Sequence, residues 1–199
     1  MRLKLPPAPG VYNPDYDNQR NRLIETFAQS AYIKGEDVGI YTPAKLIYEE
    51  YYGEFTKTDS QTPAAANTAY ALTLTTTEIS QGVSIGSPAS RVVIAHAGVY
   101  TFLVSVQITS TNSSQKAIWV WLRKNGTNIP NSAKIASISL NNGYLEMVVE
   151  DIISAAANDY FEIMFAADDV NISVSSVAAT AFAPAAPAVS LSVIEIDQL

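Results

Sequence analysis

His96 is the one histidine of a 199-residue chain that contains no cysteine. Beside a Ser or Cys nucleophile a histidine acts as general base in acyl transfer, and among Cys or carboxylate neighbours it ligates zinc or iron. Neither setting surrounds it. The chain has no Gly-x-Ser-x-Gly elbow, and His96-Ala97-Gly98 reads as a turn ahead of a strand. A zinc or iron site here would need mostly carboxylates, an uncommon donor set for those metals. Asp168, Asp169 and Asn171 offer oxygen ligands of the kind Ca²⁺ takes. No distal bidentate carboxylate closes a loop around them, so a solvated turn is expected. Glu146, Glu150 and Asp151 hold the residue types of a glycosidase pair, but along a single strand they read as ordinary exposed acids. The expectation is therefore a non-enzyme with no catalytic residue, no metal and no cofactor.

The aromatic residues are more informative. Tyr41, Tyr48, Tyr51 and Tyr52 crowd one stretch, while Trp119 and Trp121 share one side of a strand whose other side carries Ile118, Val120 and Leu122. Such surfaces stack on sugars or are covered in a subunit interface. Tyr48, Tyr51, Tyr52, Trp119 and Trp121 are the candidate interface or glycan-stacking residues, with packing in the core or against a neighbouring chain the favoured reading. Asn112-Ser113-Ser114, Asn125-Gly126-Thr127 and Asn171-Ile172-Ser173 match the glycosylation pattern, which an Asn/Ser/Thr-rich chain produces by chance.

These residues must be positioned by strands. From Tyr100 to Ile108, Tyr100, Phe102, Val104, Val106 and Ile108 fall on one side. Thr101, Ser105 and Gln107 fall on the other, with Leu103 as the exception. This period of two describes one long β-strand with a buried and a wetter face. Further strands are expected at Tyr52–Thr58, Tyr70–Leu74, Val83–Ile85, Arg91–Ala95, Ile118–Arg123, Ile135–Leu140, Tyr144–Ile153, around Phe161–Phe165, Asn171–Val177 and Val189–Ile196. Asn125-Gly126 and Asn141-Asn142-Gly143 mark hairpin turns. About ten short antiparallel strands make an all-β, two-sheet jelly-roll sandwich.

Residues 1–50 follow another pattern. Pro6, Pro7, Pro9 and Gly10 favour an extended arm. From Asp17 to Lys34, Leu23, Ile24, Phe27 and Ala31 recur at helical spacing, with Asp17 as cap and Gly35 beyond the end. A helix of this length is marginal alone and needs a partner surface. The expected division is an N-terminal anchoring arm and helix over 1–50, with Leu23, Ile24 and Phe27 as candidate particle-anchoring side chains, and a jelly-roll head over 51–199.

The bulk numbers bound the partners. Net charge is −7; residues 1–50 carry six basic and seven acidic side chains and residues 51–199 six and twelve. No basic run exceeds Arg123-Lys124, so nucleic acid is not an expected ligand. Only 16% of residues are charged, a low share that suits a surface covered by neighbouring subunits. No stretch approaches the ~20 apolar residues needed to span a bilayer, and the N-terminus lacks a signal-peptide h-region, so neither membrane insertion nor general secretory export is expected.

Three ordered motifs carry a resemblance: Ala97-Gly98-Val99-Tyr100-Thr101-Phe102, then Trp119 through Lys124-Asn125-Gly126, then Asn158-Asp159-Tyr160-Phe161-Glu162. From Asn67 to Ile196 the chain resembles the trimeric jelly-roll head of the C1q/tumour-necrosis-factor class, with Asn158 where that class has Gly. With the Pro-rich leader and Asn18-Gln19-Arg20-Asn21-Arg22 included, the whole resembles tailed-bacteriophage virion proteins. The resemblance implies a homotrimer on the particle surface, a capsid decoration, head fibre or tail appendage. Residues 1–50 would dock on another virion protein. The alternative it leaves is a receptor module for host surface glycan.

Overall fold

The alternation around Tyr100 produces a 13-residue strand that organises everything near it. In the computed structural model, which describes Asn21, Arg22 and residues 50–198, this strand is β6 (Gly98–Ser110). Glu50–Leu199 is a compact unit of its own. The other strands are β1 (Tyr52–Lys57), β2 (Tyr70–Ala71), β3 (Thr76–Gln81), β4 (Val83–Ile85), β5 (Arg91–Ile94), β7 (Lys116–Lys124), β8 (Thr127–Asn128), β9 (Lys134–Ile138), β10 (Tyr144–Ala155), β11 (Tyr160–Ala167), β12 (Ile172–Val174) and β13 (Val189–Gln198). All pairings between these strands are antiparallel.

The strands form two sheets. The first runs β10, β6, β13, β1, β3, with β12 also on β6; the second runs β4, β5, β11, β7, β8, with β2 on β11 and β9 on β7. Facing side chains fill the space between them as in any aligned sandwich. Tyr100, Phe102, Val104, Val106 and Ile108 are buried, as their spacing requires, and Leu103 is exposed as the exception it was read to be. Phe102 of the first sheet meets Phe161 of the second, ring centroids 4.4 Å apart. Ile118, Val120 and Leu122 are buried from the second sheet.

The strand set differs from expectation in several places. Asn141-Asn142-Gly143 does not close a hairpin, because β9 pairs with β7 of the second sheet and β10 with β6 of the first. The Ile135–Leu140 strand ends at Ile138. The Tyr70–Leu74 strand shrinks to Tyr70–Ala71, because Leu72 and Leu74 are buried from irregular backbone whose amides bond Ile163 O and Ala89 O. Asn171–Val177 shrinks to Ile172–Val174. Thr76–Gln81 was not expected as a strand, since five of its six side chains are exposed and show no apolar period. Asn125-Gly126 makes the expected hairpin between β7 and β8, both residues in the left-handed region. Leu23, Ile24, Phe27, Tyr41 and Tyr48 lie outside the described residues.

Candidate functional site

The residues weighed for chemistry are absorbed by structure. The His96 ring stacks on Tyr51 at 3.9 Å and 4°, and its carbonyl accepts a hydrogen bond from the Tyr100 hydroxyl. Asp168 Oδ1 accepts the Ala117 amide. Asp169 takes donors from the Asn171 amide and side chain, from Asn112 and from Lys116 Nζ at 3.3 Å. Those donors, the Asn171 amide foremost, hold the Asp169 carboxyl below the usual range. The trio thus ties the β11–β12 turn to the start of β7. Among the described residues no group of three His, Cys, Asp or Glu is placed to hold a metal.

Glu146 and Glu150 point away from the core. Their strand positions lie about 13 Å apart at ~3.3 Å per residue, beyond the reach of an inverting pair. Glu146 accepts from Ser105 Oγ. Asp151 faces the opposite side of β10, so Glu150 and Asp151 cannot act on one bond.

The motif residues do meet, and as a clasp. Asn125 donates to Asp159 Oδ1 at 2.7 Å and accepts the Tyr160 amide, while Lys124 Nζ reaches Asp159 Oδ2 at 2.7 Å and the Ser154 carbonyl. Burial pushes the Asp159 carboxyl up, but Lys124, Asn125 and the Ala156 amide outweigh it and hold it below its ordinary range. Asn158 sits at φ 69°, a left-handed conformation that Asn tolerates and Gly adopts freely. That explains how Asn stands where the resemblance has Gly.

Gly98 has a different reason. A Cβ there would lie 2.6 Å from Glu195 Oε1 and 2.9 Å from Asp197 O. Glu195 is 4% exposed, turned inwards beside a bulge in β13, and neither carboxylate oxygen has a hydrogen-bond partner. No sequence pattern singled this residue out; only a buried, unpaired carboxylate reveals it.

The candidate aromatics do not form one site. Tyr52 lies on the outward face of the first sheet, opposite Ile194; Trp119 and Trp121 lie on the outward face of the second. On the first face, register aligns Ile152, Thr101, Ile194 and Tyr52 in one row, and Glu150, Leu103, Ser192, Glu54 and Ile79 in the next. Ile152 is 61% and Ile194 51% exposed, and Leu103, Val148, Tyr144 and Ile79 are exposed as well. On the second face, Glu162 stands between Arg91 and Arg123. Arg123 contacts Glu162 Oε2 at 2.7 Å and Ser90 donates to Oε1, while Arg91 stacks over Tyr160 at 4.2 Å. The Trp121 indole donates to Asn128 Oδ1, and Trp119 is paired with Ile135 of β9.

Charge divides along the same line. The first-sheet strands carry seven acidic residues and one basic, Lys57, which is buried against Asp59 and Thr73. The second-sheet strands carry five basic residues and one acid, Glu162. By strand phase the outward face of the first sheet carries Glu54, Glu146 and Glu150 and no cation, so it is acidic and apolar. On the second outward face Arg91 and Arg123 flank Glu162, while Lys116, Lys124 and Lys134 share the phase of the inward residues.

No protein-family model and no curated protein matches the sequence. Solved structures do match in fold. One crystal structure of murine APRIL matches at 9% identity with a TM-score of 0.50, another at 8% with 0.48; each covers 74% of this chain and 100% of the other. At such identity the likeness is one of fold alone. The fold is the all-β, two-sheet jelly roll of the C1q/tumour-necrosis-factor type.

Proposed function

We propose that this chain is a non-enzymatic structural protein of a bacteriophage virion, a homotrimer whose heads assemble through the outward face of the first sheet. Residues 1–50 dock it on capsid or tail. The observation that carries the assembly is the exposed apolar face without a basic side chain. Two such faces laid on each other would bring carboxylates together, so an isologous dimer is opposed. A contact from each copy to a different surface of the next avoids that repulsion and closes a ring. The virion assignment is supported by the ordered motifs and the leader read in the sequence.

Light scattering on the full chain is expected to give three times 21.4 kDa at micromolar concentration. A well-behaved monomer would overturn the trimer. Deleting residues 1–45 should leave a soluble trimeric head that no longer joins the particle, seen as loss of its density by electron microscopy. Incorporation of the truncated protein would remove the anchoring role.

A second reading, a host-glycan module, is favoured by the partly exposed Trp119 and Trp121 on the face left open in this assembly. A glycan array probed with the full chain and with Trp119→Ala separates the two. Binding that Trp119→Ala abolishes would establish the sugar site, and no binding would end that reading.

A further inference from the structure

Between β12 and β13 the chain forms a hairpin without a charged residue, Ser175 to Ala188. Val177 and Ala186 exchange backbone hydrogen bonds at its base. At its tip Thr180 ties the turn: its amide donates to Ala183 O, and its hydroxyl accepts the amides of Phe182 and Ala183. Pro184 and Pro187 stiffen the returning arm. This tied turn holds Phe182 out to solvent, 90% exposed, the most exposed large apolar side chain among the described residues. A phenylalanine presented on an ordered turn is a preformed anchor, since little conformational freedom is lost when it is covered.

Beside the base of this finger lies a groove of about 520 Å³, walled by Val177, Ala178, Ala185, Ala186 and Pro187, with Thr56 and Glu78 on the other side. Phe182, turned outwards, does not line it. A cavity of roughly 150 Å³ suffices for a benzene ring, so the groove holds a phenyl ring with room to spare. Thr56 belongs to the outward row of Val148, Ser105 and Ser190 on the first sheet. The groove is therefore continuous with the acidic, apolar face that the proposed assembly covers.

We infer that the groove is the socket for Phe182 of a neighbouring copy. Each head gives its finger to one neighbour and receives one from the other, a heterologous contact that closes into a ring. The argument for a second copy as occupant is that continuity, together with matched chemistry. The finger is neutral and Ala/Pro/Phe-rich, and the groove offers alanine, valine and proline walls beside Thr56, Thr58, Ser176 and Glu78. The inference rests on the homotrimer reading and adds the contact that locks it.

The test uses the full chain in three forms: wild type, Phe182→Ala, and Ala178→Trp, which fills the groove. Sedimentation velocity over a dilution series reads the trimer dissociation constant, and thermal unfolding at fixed concentration checks the fold. Each variant is expected to weaken the trimer at least tenfold with its circular dichroism spectrum unchanged. Mixing the two variants should restore part of the affinity, because mixed rings regain finger–socket pairs. A wild-type trimer that Phe182→Ala leaves equally tight would overturn the socket while sparing the trimer. A monomeric wild type would overturn both. Should Ala178→Trp misfold, the Phe182→Ala result decides alone.

Discussion

The outward faces of the two sheets are built from strands of similar length and the same antiparallel pairing, yet their side chains solve different problems. On the second face a buried acid, Glu162, lies between two arginines and is bonded by Arg123 and Ser90, so that acid is satisfied within one chain. On the first face Ile152, Ile194, Leu103 and Val148 stand exposed between acids, with no cation among them. A face that leaves aliphatic side chains in water gains from being covered, at ~25 cal/mol per Å² of apolar surface removed. In the proposed assembly the first sheet is the one that neighbouring copies cover.

The sharpest way to break this comparison is Arg123→Met. Glu162, 5% exposed, would lose its cation, and stripping one partner from a buried pair costs about 3–5 kcal/mol, less here because Arg123 is part-exposed. We expect about 3 kcal/mol from denaturant unfolding, with the oligomer mass unchanged at concentrations where the variant is folded. A loss below 1 kcal/mol would mean the second face is not closed by this pair.

Ile152→Asp with Ile194→Asp tests the other side. The double variant should keep its spectrum and dissociate the oligomer more than tenfold, about 1.4 kcal/mol or more. Ile135→Asp, on the second face, should leave the mass as it was. If Ile135→Asp dissociates the protein and the pair on the first face does not, the roles of the faces are exchanged.

Glu195→Met tests what the buried, unpaired carboxylate costs the first sheet. Removing a buried carboxylate with two unpaired oxygens should raise stability by about 1–2 kcal/mol, read as a higher denaturation midpoint. A fall in the midpoint would mean that the carboxylate is satisfied in solution.

The smallest effect concerns pH. The Asp159 carboxyl is held below its unfolded value, so its contribution is complete above the unfolded pKa of about 3.9 and is lost as pH falls through the folded one. Asp159→Asn should be less stable than wild type at pH 7, with a gap that closes below pH 4. A gap independent of pH would show that the clasp acts through shape and neutral hydrogen bonds alone.

How much of this was legible beforehand can be judged residue by residue. The long strand at Tyr100, the alternation around Trp119 and the Asn125-Gly126 turn were plain, because each is a local periodicity or a local backbone demand. Thr76–Gln81 was not, since an edge strand with two wet faces has no apolar period. Leu72 and Leu74 misled for the opposite reason: irregular backbone laid against the core can bury alternate residues without being a strand. Asp159 and Asn125 were noticed as motif members, but 34 residues separate them and nothing local said that they bond.

The sequence by itself determined the class of fold and the inward face of the central strand, because side-chain alternation and turn chemistry act over a few residues. Which outward face each strand would join was decided by the tertiary structure. Glu54, Leu103, Glu150 and Ile194 become one acidic, apolar surface only when β1, β6, β10 and β13 are laid in register. Arg91 and Arg123 come to flank Glu162 on the other sheet for the same reason. Glu195 keeps the inward phase of Val189, Leu191 and Val193, and only the pairing of β13 with β6 sets it against Gly98. Contacts between distant strands are set by the packing of the whole sandwich, and no short window of residues encodes them.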